Sequence, residues 1–321
     1  MLIAFCCIIA CHIQQYLGNG LCWWFNVGVQ IFLAISGFLY GRKNISNDIE
    51  FYRRKFKQIL IPYYLTVLPF ITIQFALFKE SISIEKAVKV LLCNEMLEGG
   101  EHLWFVPTIL ICYGLTPFFQ RVFDSNGNLL KTLILTLGGL FIAFEFFFPY
   151  FNAAWISCYL ISFSVGYAEK HGKIFLEKLL SMTILALAVI CNAIQIIITY
   201  IARIKLNGDS KVWFQLFCDY SHTLLGIALF SVLRYILLRI LEKRELPIIV
   251  NFIVELSDKY SYEAYLVHQF FILGPMTMMQ ITNSTGVNIL IILATTLLLA
   301  FFLKRNERCV FEIVNRKEIK V

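Results

Sequence analysis

The sequence predicts an all-α polytopic membrane protein with about ten transmembrane helices and both termini in the cytoplasm. This prediction rests on the composition, the spacing of apolar runs and the alternation of charge between those runs. Of the 321 residues, 59% are hydrophobic and only 15% are charged, and the mean hydropathy is +0.73. Soluble domains usually carry about 25% charged residues. The composition therefore excludes an ordinary soluble domain.

Ten apolar runs have roughly the length that a helix needs to cross a hydrocarbon core of about 30 Å. They lie near residues 2–18, 25–41, 58–78, 103–120, 131–149, 153–168, 180–201, 213–233, 260–281 and 286–303. The second and sixth runs are short. The polar segments between the runs, of roughly 15–25 residues at most, are too short for a separate domain. Residues 1–321 are thus predicted to form a single integral-membrane domain.

The basic residues alternate between the two sides that these runs define. One set of connecting segments, with the C-terminal tail, holds 22 of the 28 Lys and Arg residues, and the other set holds the remaining six. Cytoplasmic loops carry the excess of basic residues in membrane proteins. Both termini are therefore predicted to be cytoplasmic, and the net charge of +7 reflects topology rather than nucleic-acid binding.

The segments between the runs add three local predictions. The second run contains the small residues Gly28, Ala34, Ser36 and Gly37, which favour close helix packing. The outer loop 79–101 is predicted to hold a short interfacial helix from Ser83 to Leu92. The apolar face of this helix comprises Ile84, Ala87, Val88 and Leu91. The inner segment 242–259 is predicted to lie along the membrane surface as a loop.

Ten cysteines are scattered along the chain, mostly within the apolar runs. They form no C-x-x-C pair and no Cys/His cluster with zinc spacing. A buried cysteine behaves as a small hydrophobic residue. The sequence thus predicts neither a disulfide nor a metal site.

Two histidines lie at similar predicted depths inside apolar runs. His12 is about 16 Å along the first helix, at 1.5 Å per residue, and His268 is nine residues past Lys259 on the same side. Ionisable groups at membrane depth tend to face a protein interior and to mark function. A neutral imidazole there can act as a general base toward a hydroxyl. The alternative is a pair of histidines hydrogen-bonded between helices without any chemical role.

Further polar groups lie near the outer ends of the runs. Glu101 and His102 open the fourth run, two residues before Trp104, and form either part of a site or a solvated rim. His222, near Asp219 and Tyr220, either lines a polar cavity or is an ordinary buried histidine. Glu145 lies among phenylalanines and is expected to reach outward to solvent.

A basic cluster flanks the inner ends of the second and third runs. It comprises Arg42, Arg53, Arg54 and Lys57. The positive-inside rule alone accounts for most of these residues. Arg53 and Lys57, however, are four residues apart on one helical face and have the chemistry to hold a diphosphate. Together with the histidines, they indicate chemistry inside a membrane with a phosphate-bearing donor.

Several motifs follow one another in the order found in one known family. They are Leu2–His12, Val29-Gln-Ile-Phe-Leu-Ala-Ile-Ser-Gly-Phe38, Phe51-Tyr-Arg-Arg-Lys-Phe-Lys-Gln-Ile-Leu-Ile-Pro-Tyr63, His102-Leu-Trp-Phe-Val106 and Ser261-Tyr-Glu-Ala-Tyr-Leu-Val-His268. The chain thereby resembles the membrane acyltransferase-3 family of bacterial surface-polysaccharide O-acyltransferases. That family opens with an arginine eleven positions before the histidine, where this chain has Met1. A start downstream of the true one is the expected explanation.

The resemblance implies acyl transfer at or across a bacterial cell membrane, with acetyl-CoA as the expected donor and no metal. His12 would activate the acceptor hydroxyl or carry the acyl group. Arg42, Arg53, Arg54 and Lys57 would hold the donor's phosphates. The acceptor side would include Glu101, His102, Trp104 and His268, with a cell-surface or lipid-linked glycan as acceptor. The alternative functions are a polysaccharide or lipid-linked sugar exporter, which often shows internal repeats that are absent here, and a purely structural membrane subunit.

Overall fold

Every regular element in the described part of the chain is helical. A computed structural model describes residues 1–77, 82–147, 151–242 and 247–318. The α-helices are α1 (Leu2–Tyr16), α2 (Cys22–Phe25), α3 (Val27–Gly41), α4 (Asp48–Leu77), α5 (Ile84–Leu91), α6 (Phe105–Ser125), α7 (Leu129–Ile142), α8 (Ala153–Lys170), α9 (Ile174–Ile196), α10 (Asp209–Leu241), α11 (Ile248–His268) and α12 (Thr285–Glu318). Short 3₁₀ turns cover Glu101–Trp104 and Gln269–Phe271, and π-helical turns cover Ala143–Phe147 and Ile197–Ile201.

Seven helical segments within these described ranges are long and apolar enough to cross a membrane. They are Cys22–Gly41, Asp48–Leu77, Glu101–Ser125, Leu129–Phe147, Ile174–Ile201, Asp209–Leu241 and Thr285–Ile313. The predicted runs at 2–18 and 153–168 correspond to the helices α1 and α8. The all-helical, multi-pass class is thus confirmed. The count of ten spans and the cytoplasmic termini stay predictions.

The predicted span at 260–281 is not one continuous helix. Helix α11 ends at His268, and only the 3₁₀ turn Gln269–Phe271 follows before α12 begins at Thr285. Gly274 has a φ of +78° and precedes Pro275. A residue before proline is sterically disfavoured in the α region, and proline lacks the N–H that a helix needs. The apolar run continues past the point where its backbone can remain helical.

The segment 242–259, predicted to be a loop along the membrane surface, is helical over most of its length, and its position along the surface stays a prediction. The chain is helical from Ile248 onward as the first half of α11, with Pro247 at its N-cap. Proline is favoured at the start of a helix because its fixed φ suits the helix and its missing N–H would have no helical acceptor there. Residues 243–246 lie outside the described residues.

Helix α5 confirms the predicted short helix in the loop 79–101, of which residues 79–81 lie outside the described ranges. The hydroxyl of Ser83 accepts a hydrogen bond from the Lys86 N–H at 3.1 Å and caps the helix start. The predicted apolar face is correct for Ala87, which is buried, but wrong for Ile84 and Val88, which are exposed; Val90 is the other buried residue of the helix. The reason is tertiary: the Tyr63 hydroxyl of α4 donates to the Val90 carbonyl at 2.5 Å.

Residue contacts divide the chain into two compact units that are each discontinuous in sequence. The first unit comprises Met1–Phe25, Ile49–Leu110 and Pro247–Val321, and the second comprises Asn26–Asp48 and Ile111–Leu246. Each unit is described by itself below. The first contains all three histidines of the motifs quoted above, and the second contains the close pair α3 and α8. A single domain over residues 1–321 stays a prediction.

Small residues let α3 and α8 approach closely within the second unit. Gly28, Ala34 and Gly37 are buried, as the sequence predicted, whereas Ser36 is only half-buried. Gly37 faces the backbone of Tyr159 in α8 so closely that a Cβ at Gly37 would overlap it. The backbones can approach only because these positions lack side chains, as is common at membrane helix interfaces.

We expect Gly37→Ala to destabilise the second unit by about 1–3 kcal/mol, because the added methyl group forces α3 away from α8. Gly139→Ala is the matched control, since Gly139 lies in α7 with open space around its Cα. Thermal unfolding of the detergent-solubilised protein should show a lower midpoint for Gly37→Ala alone. Equal midpoints for the two variants would contradict the close packing.

Candidate active site

Three histidines from distant parts of the sequence meet in the first unit. The ring centroids of His12 and His268 are 5.2 Å apart, those of His102 and His268 are 4.8 Å apart, and those of His12 and His102 are 6.1 Å apart. Helix α1 supplies His12, the 3₁₀ turn before α6 supplies His102, and the last residue of α11 is His268. We call these three residues the histidine cluster.

Burial differs within the histidine cluster. His268 is fully buried and His102 is 3% exposed, whereas His12 is only half-buried. The solvated-rim alternative was therefore wrong for His102, although its neighbour Glu101 is exposed. Of the three rings, that of His12 is the one that a molecule from outside can reach most readily.

The backbone of α11 determines which nitrogen of His268 can act as a base. The Nδ1 atom of His268 lies 2.7 Å from the carbonyl oxygen of Tyr265. A carbonyl oxygen only accepts hydrogen bonds, so Nδ1 carries the proton in the neutral ring and Nε2 carries the lone pair. That Nε2 atom is buried and has no hydrogen-bond partner among the described residues.

Two contacts from α11 and the turn that follows it hold His102 by its backbone. The Tyr265 hydroxyl donates to the His102 carbonyl, and the His102 N–H donates to Gln269 Oε1 at 3.0 Å. Both ring nitrogens of His102 are buried without a partner in the described part of the chain. Buried polar atoms are nearly always hydrogen-bonded. The unpaired nitrogens of His102 and His268 could therefore form hydrogen bonds with a polar ligand.

Glu101 fixes the turn that carries His102. Its Oε2 accepts from Gln269 Nε2 at 2.7 Å, and its Oε1 accepts from the Gly99 N–H at 3.0 Å. Gly99 has a φ of +76°, a conformation that residues with a side chain rarely adopt. It also packs so closely against the backbone of Gly274 that a Cβ at position 99 would not fit. Gln269 therefore links Glu101 to His102. Gln269 and Tyr265 were missed in the sequence, although both lie within three residues of His268.

Among the described residues, the ring of His12 makes a hydrogen bond within its own helix. Its Nδ1 lies 3.3 Å from the amide oxygen of Gln15. Because that oxygen only accepts, Nδ1 carries the proton in the neutral ring and Nε2 keeps its lone pair. His12 and His268 thus both have the tautomer in which Nε2 is the basic atom. Trp104, half-buried at the end of the same turn as His102, lies beside Phe105.

Three of the four basic candidates lie at the start of α4. Arg53 and Arg54 are exposed and Lys57 is half-buried. Helix α4 contacts α11 where the Tyr262 hydroxyl donates to Ile59 O at 3.0 Å, and it contacts the 3₁₀ turn after α11 where Phe70 stacks on Phe270 at 3.9 Å. His268 lies between these two contacts. At 1.5 Å per residue, the basic side chains start roughly 15–20 Å along α4 from the histidine cluster.

Arg42 belongs to the second unit and has a different environment. Its Nε lies 3.6 Å from Glu169 Oε1, and its guanidinium lies 5.7 Å from the ring centre of Phe38. Arg234 shares the same carboxylate, with Nη2 2.6 Å from Glu169 Oε2. Arg42 is thus part of an ion-pair network that the sequence did not indicate.

A buried ion-pair cluster lies near the histidine cluster on α11. Glu263, five residues before His268, is 1% exposed, and its Oε1 accepts from Lys304 Nζ at 2.8 Å. Lys304 also lies 2.9 Å from Glu307 on α12. The sequence placed Lys304 and Glu307 in a cytoplasmic tail, and only the packing of α12 on α11 brings them to Glu263.

A comparison with known families matches nearly the whole chain. The acyltransferase-3 family model, described as an acyltransferase domain, matches residues 2–305. No curated protein and no solved structure shows a significant match. Within the described residues, no group of three or more His, Cys, Asp or Glu side chains has a geometry that could hold a metal ion.

Proposed function

The chain belongs to the acyltransferase-3 family, and from this membership we propose that it is a membrane O-acyltransferase. The proposed reaction moves an acyl group, acetyl as the expected case, from acyl-CoA to a hydroxyl of a cell-surface or lipid-linked glycan. The proposed location is a bacterial cell membrane, in which the protein crosses the bilayer several times.

The observation that carries this proposal is the histidine cluster. Three imidazole rings lie within 6.1 Å of one another in a largely buried setting. An imidazole with a free Nε2 accepts a proton from a hydroxyl and later returns it. Proton transfer between a hydroxyl and a leaving thiolate is what an acyl transfer to a hydroxyl requires.

We assign the basic role to His12 Nε2, because His12 is the most accessible ring of the cluster. The base removes the hydroxyl proton as the hydroxyl oxygen forms a bond to the thioester carbonyl carbon. The carbon–sulfur bond then breaks, and the imidazolium returns its proton to the CoA thiolate. In the alternative route, His12 Nε2 attacks the thioester carbonyl carbon, the carbon–sulfur bond breaks, and CoA leaves as the thiol with the imidazole's proton. The acyl-imidazole then passes its acyl group to the acceptor hydroxyl, whose proton returns to the imidazole.

The other residues of the site are proposed to bind and orient the acceptor and the thioester around His12. The ring nitrogens of His102 and the Nε2 of His268 are the unpaired polar atoms that an acceptor hydroxyl or thioester oxygen would satisfy. Trp104, two residues after His102, is proposed to offer an aromatic face to the acceptor. Glu101 acts through Gln269, which holds the His102 backbone, so we propose that it positions the acceptor side indirectly.

Arg53, Arg54 and Lys57 are proposed to bind the donor's phosphates, with Arg42 as a further candidate. Acyl-CoA carries its diphosphate and its thioester at opposite ends of an extended arm. The separation of roughly 15–20 Å between the basic side chains and the histidine cluster suits such a molecule better than a compact donor. Arginine and lysine are the side chains that best bind phosphate oxygens.

Replacing Arg53 and Lys57 with glutamine should raise the KM for acetyl-CoA about tenfold or more and change kcat little. Each lost charge-assisted hydrogen bond weakens binding about tenfold, and these residues lie too far from the reacting atoms to alter the chemical step. Lys178→Gln, an exposed lysine of the second unit, is the control. Steady-state kinetics with radiolabelled acetyl-CoA make the comparison. A large fall in kcat at unchanged KM would refute the phosphate-binding role.

The proposed function is tested by the surface glycans of a strain that lacks the gene. We expect their O-acetyl content to fall while the amount of polysaccharide stays the same, and the intact gene should restore acetylation. If the glycans stay acetylated and the amount of surface polysaccharide falls instead, the protein is an exporter and the acyltransferase proposal is wrong.

A further inference from the structure

The second unit contains a cavity of about 520 Å³ that the proposed chemistry does not use. Three elements form its walls: the π-helical turn Ala143–Phe147, the start of α8 and the first half of α10. Its polar wall consists of Glu145, Asn152, Gln215 and Asp219, and its aromatic wall includes Trp155 and Trp213. Of the two alternatives left open for His222, the structure favours the buried histidine, since His222 is buried and does not line this cavity.

The polar groups of this cavity are held in place by the fold. Asn152 caps α8 through its side-chain oxygen, which accepts from the Ala154 N–H at 2.9 Å. Its amide nitrogen donates to Asp219 Oδ2, also at 2.9 Å. Gln215 lies one helical turn before Asp219, on the same side of α10. A π-helical turn, an arrangement common at functional sites, carries Glu145.

An apolar groove of about 560 Å³ continues from this cavity. Phe141, Trp213 and Leu216 line both, and the groove extends along Leu137, Ile161 and Phe217. The helices around it expose large hydrophobic side chains such as Ile134 and Leu135, as expected of surfaces that face lipid. One end of this surface is thus polar and aromatic, and the other end suits a hydrocarbon chain.

The chemistry of the polar end favours a sugar ring over other ligands. Carboxylates and amides exchange hydrogen bonds with hydroxyl groups, and indole rings pack against the apolar faces of a pyranose. Among the described residues that line the cavity there is no lysine or arginine, so the carboxylates of Glu145 and Asp219 would repel a phosphate group with no cation to offset them. The charge distribution of the chain assigns this end of α8 and α10 to the outer side of the membrane.

We propose that this cavity binds a sugar ring of the acceptor glycan, and that the groove takes the hydrocarbon chain when the acceptor is a glycolipid whose sugar and chain are joined without a phosphate. This inference rests on the proposed function, because it names a binding place for the acceptor that the function requires. It assigns acceptor recognition to residues outside the family motifs.

Binding of simple glycosides to the protein in lipid nanodiscs tests the inference. The probes are the methyl glycosides of common hexoses and N-acetylhexosamines, with binding observed by saturation-transfer NMR. We expect at least one glycoside to bind, and Asp219→Asn or Gln215→Ala to weaken that binding about tenfold. Lys211→Ala, on the same helix but outside the cavity wall, is the control.

The octyl glycoside of the same sugar, used below its micelle concentration, should displace the methyl glycoside at lower concentration if the groove takes a hydrocarbon chain. If the octyl and methyl glycosides displace the bound sugar at the same concentration, the groove does not bind a hydrocarbon chain. Choline serves as a second competitor, because carboxylates and indole rings also bind organic cations. Displacement of the sugar by choline but not by other glycosides would overturn the sugar assignment, as would glycoside binding that is the same in wild type and cavity variants.

The His12→Ala protein separates this inference from the proposed function. It should bind the glycoside as wild type does, because His12 lies outside the cavity. If glycosides bind and no acyl transfer is ever found, the cavity is a sugar-binding site and the proposed enzymatic function is wrong. If acyl transfer occurs at wild-type rates in Asp219→Asn and Gln215→Ala, the enzyme stands and the cavity is not its acceptor site.

Discussion

His12→Ala is expected to lower the rate of acyl transfer by about 100-fold to 10,000-fold, the range typical for removing a general base. The loss should appear in kcat, since the ring acts on the reacting atoms rather than on the donor's phosphates. Transfer of radiolabelled acetyl from acetyl-CoA to acceptor glycan, in membranes with matched protein levels, measures it. His171→Ala is the control, because His171 is an exposed histidine of the second unit.

A small effect of His12→Ala would move the basic role elsewhere. His268 has the same tautomer, with its Nε2 free, so His268→Ala would then be the variant expected to lose activity. Wild-type rates in both variants would refute the assignment of catalysis to the histidine cluster.

The two routes open to His12 differ in whether acyl-enzyme forms without an acceptor. A brief incubation with radiolabelled acetyl-CoA alone, followed by rapid denaturation, should leave label on the wild-type protein only if an acyl-imidazole forms. Label that is absent from wild type, although the protein is active when acceptor is added, indicates general-base catalysis. Label that persists in His12→Ala indicates a different nucleophile.

Lys304→Met is expected to destabilise the first unit by about 3–5 kcal/mol, because it leaves buried carboxylates without their cation. Glu263 is 1% exposed and Glu307 is 6% exposed, and both lose their partner Lys304 in this variant. Two neighbouring carboxylates would then repel each other in a poorly solvated place. The midpoint of thermal unfolding in detergent should fall clearly. Lys259→Met, an exposed lysine of α11, should leave it nearly unchanged.

A second substitution tests whether repulsion between Glu263 and Glu307 causes the loss of stability in Lys304→Met. Adding Glu263→Gln to Lys304→Met removes one of the opposed charges, and the double variant should recover part of the lost stability. Glu263→Gln alone should have a milder effect than Lys304→Met, since Lys304 keeps Glu307 as a partner. A double variant that is less stable than Lys304→Met would show that charge repulsion is not the cause.

Much of the fold could be predicted because membrane insertion is a local property of the sequence. An apolar run of sufficient length becomes a helix, since only a helix satisfies its own backbone within lipid. Helix α7 begins within two residues of its predicted run, whereas α9 and α4 begin six and ten residues before the runs predicted for them. The rule failed at α11, which ends at His268 inside an apolar run, six residues before Gly274. It failed again at 248–258, where a mixed polar segment forms a helix.

Part of the candidate site could also be predicted, because imidazoles in apolar runs are costly unless they serve a purpose. His12, His102 and His268 were identified as candidates, and their motifs indicated the family that the comparison confirmed. His12 and His268 were predicted to lie at similar depths, and their rings do lie together. The residues that hold them, Tyr265 and Gln269, carry no such signal of their own, because tyrosine and glutamine are common in membrane helices that make no site.

By itself, the sequence determined the class of the protein, the nature of its elements and the residue types available for chemistry. Hydropathy, charge alternation and short motifs each depend on residues that are close together in the chain, so the sequence shows them directly. Only the tertiary structure decided which residues meet: that His102 is buried beside His12 and His268, that α5 turns Val90 inward, and that Lys304 reaches Glu263. These outcomes depend on which helices pack together. Packing energy is shared among residues far apart in the chain, so no local pattern contains it.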